Sequence, residues 1–152
     1  MAAAVAASAV WGPRACTPVR RQTLATASPR KAIREMAQAL EAHKIKVRNN
    51  QDAVEEDFMF HLKIADASKN TVMKSLMLII TPDIMQYFKT HDVCGEGRSD
   101  VAVEQHEMLL QQIIDRKPEP AQQSLMQHLH EISEYVRTLK QGMRLNGDGL
   151  LI

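Results

Sequence analysis

Apolar side chains recur every three or four residues along most of the chain after residue 30, and this helical period restricts the fold more than any other feature of the sequence. No segment shows the alternation typical of a half-buried strand. Each amphipathic stripe has to be buried against another, so we predict an all-α fold, an antiparallel helical bundle. Asparagine, glycine and proline breaks place the helices at about residues 29–47, 51–68, 71–90, 100–115 and 118–141.

The length of 152 residues suits one domain with a hydrophobic core. We predict that residues 31–142 form this helical domain and that residues 143–152 are a flexible tail. Residues 1–30 contain no Asp or Glu and show no sustained periodicity. We therefore expect them to be an atypical, disordered or mis-framed segment, with a transit peptide as the alternative.

Charge and hydropathy exclude several classes of protein. The formal net charge is +1, and acidic and basic residues are interleaved, so the sequence has no electrostatic footprint for nucleic acid. The longest apolar run, residues 76–80, is far shorter than the roughly 20 residues that span a bilayer. The two cysteines, Cys16 and Cys94, are too far apart to form a C-x-x-C motif. We expect a cytoplasmic protein that does not enter the membrane.

Three histidines and one aspartate fall on the apolar stripes. Asp57 and His61 are four residues apart, so both lie on the apolar face of the second helix. His106 and His128 lie on the stripes of the fourth and fifth helices in the same way. All four side chains are therefore predicted to point into the core.

Buried polar groups cost roughly a few kcal/mol each unless they are satisfied. A shared divalent cation would satisfy all four side chains, because imidazole nitrogen and carboxylate oxygen are ligands for zinc. The alternative is a bundle whose histidines only form hydrogen bonds inside the core. The remaining histidines, His43, His91 and His130, are predicted to lie at the surface or in loops. The methionines predicted to fill the core are Met73, Met77, Met85, Met108 and Met126.

Four short motifs resemble the C-terminal effector-binding (FCD-type) domain of FadR-like GntR-family bacterial transcription regulators. The motifs are Asp57-Phe-Met-Phe-His61, Ile64-Ala-Asp-Ala-Ser-Lys-Asn70, Glu104-Gln-His106 and Met126-Gln-His128-Leu129. Their order and spacing both match, and the resemblance covers about residues 31–141.

The resemblance implies a FadR-like helical bundle that binds a small carboxylate or sugar-acid effector and acts as a homodimer. It implies a metal held by Asp57, His61, His106 and His128, with zinc expected and nickel or manganese as alternatives. Asn70 is the residue predicted to contact the effector if it lines the same pocket, but a helix cap is the favoured interpretation of this residue. DNA would be bound only through an N-terminal winged helix, which we expect this chain to lack because the stretch before Ala32 is too short.

Three functions are open at this point. A metal-containing ligand sensor is favoured, and a helical metal-dependent hydrolase and a purely structural bundle are the alternatives. A hydrolase needs a general base near the metal. The nearby acids Glu55, Glu56 and Glu107 are phased away from the faces that carry the predicted ligands. We therefore do not expect an enzyme.

Overall fold

The chain folds into helices that are separated by residues with a left-handed backbone conformation. The computed structural model describes residues 29–95 and 97–145, with side chains to residue 141. These residues form five helices and no strand, which confirms the all-α prediction. The helices are α1 (Pro29–Arg48), α2 (Val54–Ala67), α3 (Thr71–Thr90), α4 (Arg98–Ile114) and α5 (Pro118–Leu145). The non-glycine residues with positive φ, all at junctions between helices, are Asn50, Lys69, Asp92 and Arg116. Predictions for residues 1–28 and 146–152 lie outside the described residues.

Three helices begin or end at residues other than those predicted. α2 begins at Val54, because the Asp52 carboxylate accepts a hydrogen bond from the Val54 amide at 3.0 Å and holds the preceding turn. α4 begins at Arg98 rather than at about residue 100, and it follows Gly97, whose φ of 78° suits a glycine. α5 continues through Gly142 to Leu145. A helical glycine costs only about 1 kcal/mol relative to alanine, so it does not have to end a helix.

The main core lies between four of the helices. α1 packs against α2 and α4, α4 packs against α5, and α3 packs against α2. Phe60 is fully buried at the centre of this core. The buried residues of the main core are Met36, Ala39, Leu40, Phe60, Ile64, Leu109, Leu110, Ile113, Ala121 and Leu125. A smaller cluster of Val54, Phe88 and Val93 lies where α2, the end of α3 and the following loop meet.

The outer surfaces carry more apolar area than the sequence predicts. Met108 and Met126 are 58% and 50% exposed, so the prediction that they fill the core is wrong. Leu129, which follows the buried His128 on α5, is 44% exposed as well. No described helix combines the length and the hydropathy that crossing a membrane requires.

Candidate metal centre

Three imidazole rings from three helices meet at one point. The Nε2 atom of His128 on α5 lies 3.2 Å from Nε2 of His61 on α2 and 3.2 Å from Nε2 of His106 on α4. Zinc–nitrogen bonds of about 2.0–2.1 Å place neighbouring ligand atoms about 3.3 Å apart in a tetrahedral site. These nitrogen separations match those of ligands around one small cation, and they are also hydrogen-bonding distances.

The Asp57 carboxylate lies beside these three imidazole nitrogens. Asp57 lies one turn before His61 on α2, and its Oδ1 is 3.5 Å from Nε2 of His106. The side chain is buried, and burial raises the pKa of Asp57 to about 7. Asp57 Oδ1 has no hydrogen-bond partner in the described part of the chain. A buried carboxylate in this position is stabilised by a neighbouring positive charge.

His43 on α1 also faces the site, and its predicted surface position is wrong. The ring is 2% exposed, and its Nδ1 lies 4.0 Å from Oδ1 of Asp57. Two groups of ligand atoms lie within 4.8 Å of one another: His61, His106 and His128, and His43, Asp57 and His106. A local signal existed, because Met36, Leu40 and His43 continue one helical stripe at spacings of four and three.

Burial keeps the imidazoles in the form that binds metals. It lowers the pKa of His61 to about 3 and the pKa of His43 and His128 to about 4. It also lowers the pKa of His106, which is fully buried. The four rings are neutral at pH 7, and a neutral imidazole offers a nitrogen lone pair.

Unpaired polar atoms collect at this one place in the core. Besides Asp57 Oδ1, the Nδ1 atoms of His43 and His106 are buried without a hydrogen-bond partner among the described residues. An unsatisfied buried polar atom costs about 1–3 kcal/mol. A cation held by the three Nε2 atoms would satisfy Asp57 Oδ1, although not the two Nδ1 atoms, so the described residues fit a divalent cation with one carboxylate and three Nε2 atoms as the donor set.

A small cavity adjoins the site on the α4–α5 side. Its volume is about 130 Å³, and Asp57 and His128 form part of its wall. The Arg98 guanidinium, 3.9 Å from the centre of the Tyr135 ring, lies in the same wall. A cavity this small, compared with roughly 300–1,000 Å³ for pockets of drug-sized ligands, suits a molecule of few atoms. A larger cavity of about 460 Å³ near the interhelical loops contains none of the predicted metal ligands.

Asn70 is the N-cap residue of α3. Its Oδ1 accepts a hydrogen bond from the Met73 amide at 3.0 Å and caps the start of α3. Asn70 does not line the cavity beside Asp57 and His128. Capping, which we considered alongside effector contact, is observed, and the effector contact stays a prediction.

The acids considered as a general base are paired with lysines. Glu107 lies 2.6 Å from Lys44, and Glu55 lies 3.0 Å from Lys89. Glu56 lies 3.8 Å from Lys46. These contacts agree with the helical phasing, which directs the three glutamates away from the predicted ligands.

Comparison with known families identifies the class of protein. The family model of the FCD domain matches residues 21–131, and the chain belongs to this family. FCD domains are the C-terminal effector-binding domains of GntR-family regulators, so the chain is a ligand-sensing regulatory domain of that type. The family is regulatory rather than catalytic, and its members often bind metal. No curated protein matches the chain.

Proposed function

We propose that this regulatory domain senses a small carboxylate or sugar acid through a divalent metal ion held by Asp57, His61, His106 and His128. The observation that carries the proposal is the convergence of three Nε2 atoms, 3.2 Å apart in two pairs, beside a buried carboxylate without a hydrogen-bond partner. Zinc is the expected metal because neutral imidazoles dominate the donor set, and nickel and manganese are the alternatives.

The effector would occupy the cavity beside Asp57 and His128. The bound cation supplies positive charge that attracts the carboxylate of the effector. Arg98, whose guanidinium stacks over the Tyr135 ring and donates to the carbonyls of Val93 and Asp92, adds a second positive charge to the same wall. Because α2, α4 and α5 all contribute to this region, an effector bound there would favour one packing of these helices over another.

We further propose that the domain acts as a cytoplasmic homodimer. Several apolar side chains of α3 are exposed, and they form a face that a second copy could cover. In a complete regulator, DNA is bound by a separate winged-helix domain, and a change in helix packing would alter the spacing of the two DNA-binding heads. Catalysis forms no part of the proposal, since the nearby glutamates pair with lysines.

Elemental analysis of the purified chain, after dialysis against a weak chelator, tests the metal site. We expect about one metal ion per chain, and we expect His128→Ala to lose it. His130→Ala is the matched control, because His130 lies on the same helix and is exposed. The control should keep the metal and its thermal stabilisation, which is about 2.7 kcal/mol at a free metal concentration of 100 Kd.

Metal in wild type and in both variants would reject the assignment of His128. Absence of metal from the wild type and from both variants would mean that the histidines have only a structural role. If the metal is present, small carboxylates are then titrated into the loaded chain. We expect them to raise its melting temperature, and to do so less in an Arg98→Ala variant that retains the metal.

A further inference from the structure

A chain of hydrogen bonds leads from the surface to the metal-facing ring of His128. Gln105 on α4 lies between His128 and Glu131, which follows His128 by three residues on α5. Gln105 Oε1 is 2.6 Å from Nδ1 of His128. Gln105 Nε2 donates to Oε2 of Glu131 at 2.6 Å. Gln105 has no recognisable signal in the sequence, because a glutamine beside a histidine is not a metal-ligand pattern.

The chemistry of the three side chains fixes the direction of each hydrogen bond. An ionised carboxylate only accepts, so the amide nitrogen of Gln105 has to face Glu131. The amide oxygen then faces His128, and it too only accepts. Nδ1 of His128 therefore carries the proton, and the unprotonated nitrogen is Nε2.

Glu131 is kept ionised from two sides. Gln127 donates to Oε1 of Glu131 at 2.5 Å, while Gln105 donates to Oε2. Hydrogen bonds from Gln127 and then Gln105 lower the pKa of the Glu131 carboxyl. Gln105 therefore donates to an ionised carboxylate through its own hydrogen bond to Oε2, which is separate from that of Gln127 to Oε1.

We propose that Gln105, anchored by Glu131, is a positioning residue that fixes His128 as the Nδ1–H tautomer and turns its Nε2 lone pair toward His61 and His106. The function that we give to this tautomer rests on the proposed metal centre. The tautomer itself does not, because it is a property of the metal-free chain. Outer hydrogen bonds of this kind orient ligating imidazoles and raise metal affinity in many metal sites.

Nuclear magnetic resonance of the full chain, stripped of metal and labelled with ¹⁵N at histidine, tests the proposal directly. Two-bond couplings in the imidazole ring show which nitrogen carries the proton. We expect wild-type His128 to be the Nδ1–H tautomer near pH 7. In Gln105→Leu the fixed acceptor is lost, and we expect the Nε2–H form to become populated.

Gln127→Leu is the matched control, because it removes the other amide from Glu131 and leaves the contact of Gln105 with His128 intact. It should retain the wild-type tautomer. Finding Nε2–H in the wild type, or no change in a folded Gln105→Leu, would overturn the proposal. The wild-type spectrum decides the first point even if the variant does not fold.

Zinc titration of the same three chains gives a second, separate readout. We expect Gln105→Leu to bind zinc roughly 10–100-fold more weakly at unchanged stoichiometry, and Gln127→Leu to stay close to wild type. Failure of the wild type to bind zinc would refute the metal site but not the tautomer assignment. The two failures are therefore distinguishable.

Discussion

The most apolar segment of the chain is exposed and its most polar cluster is buried, which is the reverse of what the hydropathy of the two regions favours. Residues 76–80 of α3 form the longest apolar run, yet Ile79 is 71% exposed and Leu78 is 52% exposed. His106 and Asp57, by contrast, are 0% and 5% exposed. The hydrophobic effect favours burial of the apolar run, and desolvation opposes burial of a carboxylate beside imidazoles.

The difference teaches that burial in this domain does not follow the apolar character of each segment. The exposed face of α3, formed by Val72, Leu76 and Ile79 at helical spacing, is of the kind that an apolar partner surface covers. A positive charge would stabilise the Asp57 carboxylate in the buried polar cluster. A homodimer and a divalent cation are the partners that we propose for these two regions.

Acid is expected to have the largest effect on the metal-free chain. Histidine has an ordinary pKa of 6.5, and burial lowers it to about 4 for His43 and His128 and to about 3 for His61. Between pH 6.5 and the lowered pKa of each histidine, the imidazole binds a proton in the unfolded state but not in the folded state. The free energy of unfolding therefore falls as the pH falls below 6.5. The raised pKa of Asp57 acts in the opposite direction between pH 3.8 and about 7. One carboxylate opposes four imidazoles, so the net slope follows the histidines.

Urea unfolding of the metal-free chain between pH 7.5 and 4 measures this effect. We expect the midpoint to decline steadily below pH 6.5, until the metal-free chain no longer folds. His43→Leu removes one titrating ring and should make the decline shallower. A midpoint that does not change over this range would show that the imidazoles are not buried in solution.

Truncation of matched isoleucines compares the interior with the α3 face. Ile64 is buried beside Phe60 in the main core, whereas Ile79 is exposed. Ile64→Ala should lower the free energy of unfolding by about 2–5 kcal/mol. Ile79→Ala should change it by less than about 0.5 kcal/mol in dilute solution, where the chain is monomeric. Equal losses in urea denaturation would contradict the exposure of the α3 face.

The α3 face as a dimer contact gives the smallest expected effect. We expect Ile79→Gln to weaken self-association about 10–100-fold, because the dimer would have to bury an unpaired amide at a cost of roughly 1–3 kcal/mol. Ile114→Gln is the matched control and should leave association unchanged, since Ile114 is 43% exposed and lies on α4 rather than on α3. Sedimentation equilibrium measures both. Equal weakening by the two variants would argue against an α3 interface.

Much of the site could be predicted because helical spacing is local. The stripes through Asp57, His61, His106 and His128 follow from 3.6 residues per turn, and the structure brings these four side chains together. His130, two residues beyond His128, is exposed as predicted. His43 shows the limit of prediction from helical spacing. It continues the apolar stripe of α1, but a stripe on one helix does not specify which other helix packs against it.

The sequence by itself determined the approximate extent of the five described helices and the sides of α2, α4 and α5 that carry imidazoles, since these depend on neighbours within one or two turns. Only the tertiary structure decided that α3 exposes its apolar stripe, that Met108 and Met126 lie outside the core, and that Gln105 contacts His128 across two helices. The physical reason is that burial and hydrogen bonding between helices depend on which surfaces meet, and periodicity along one helix does not specify its neighbour.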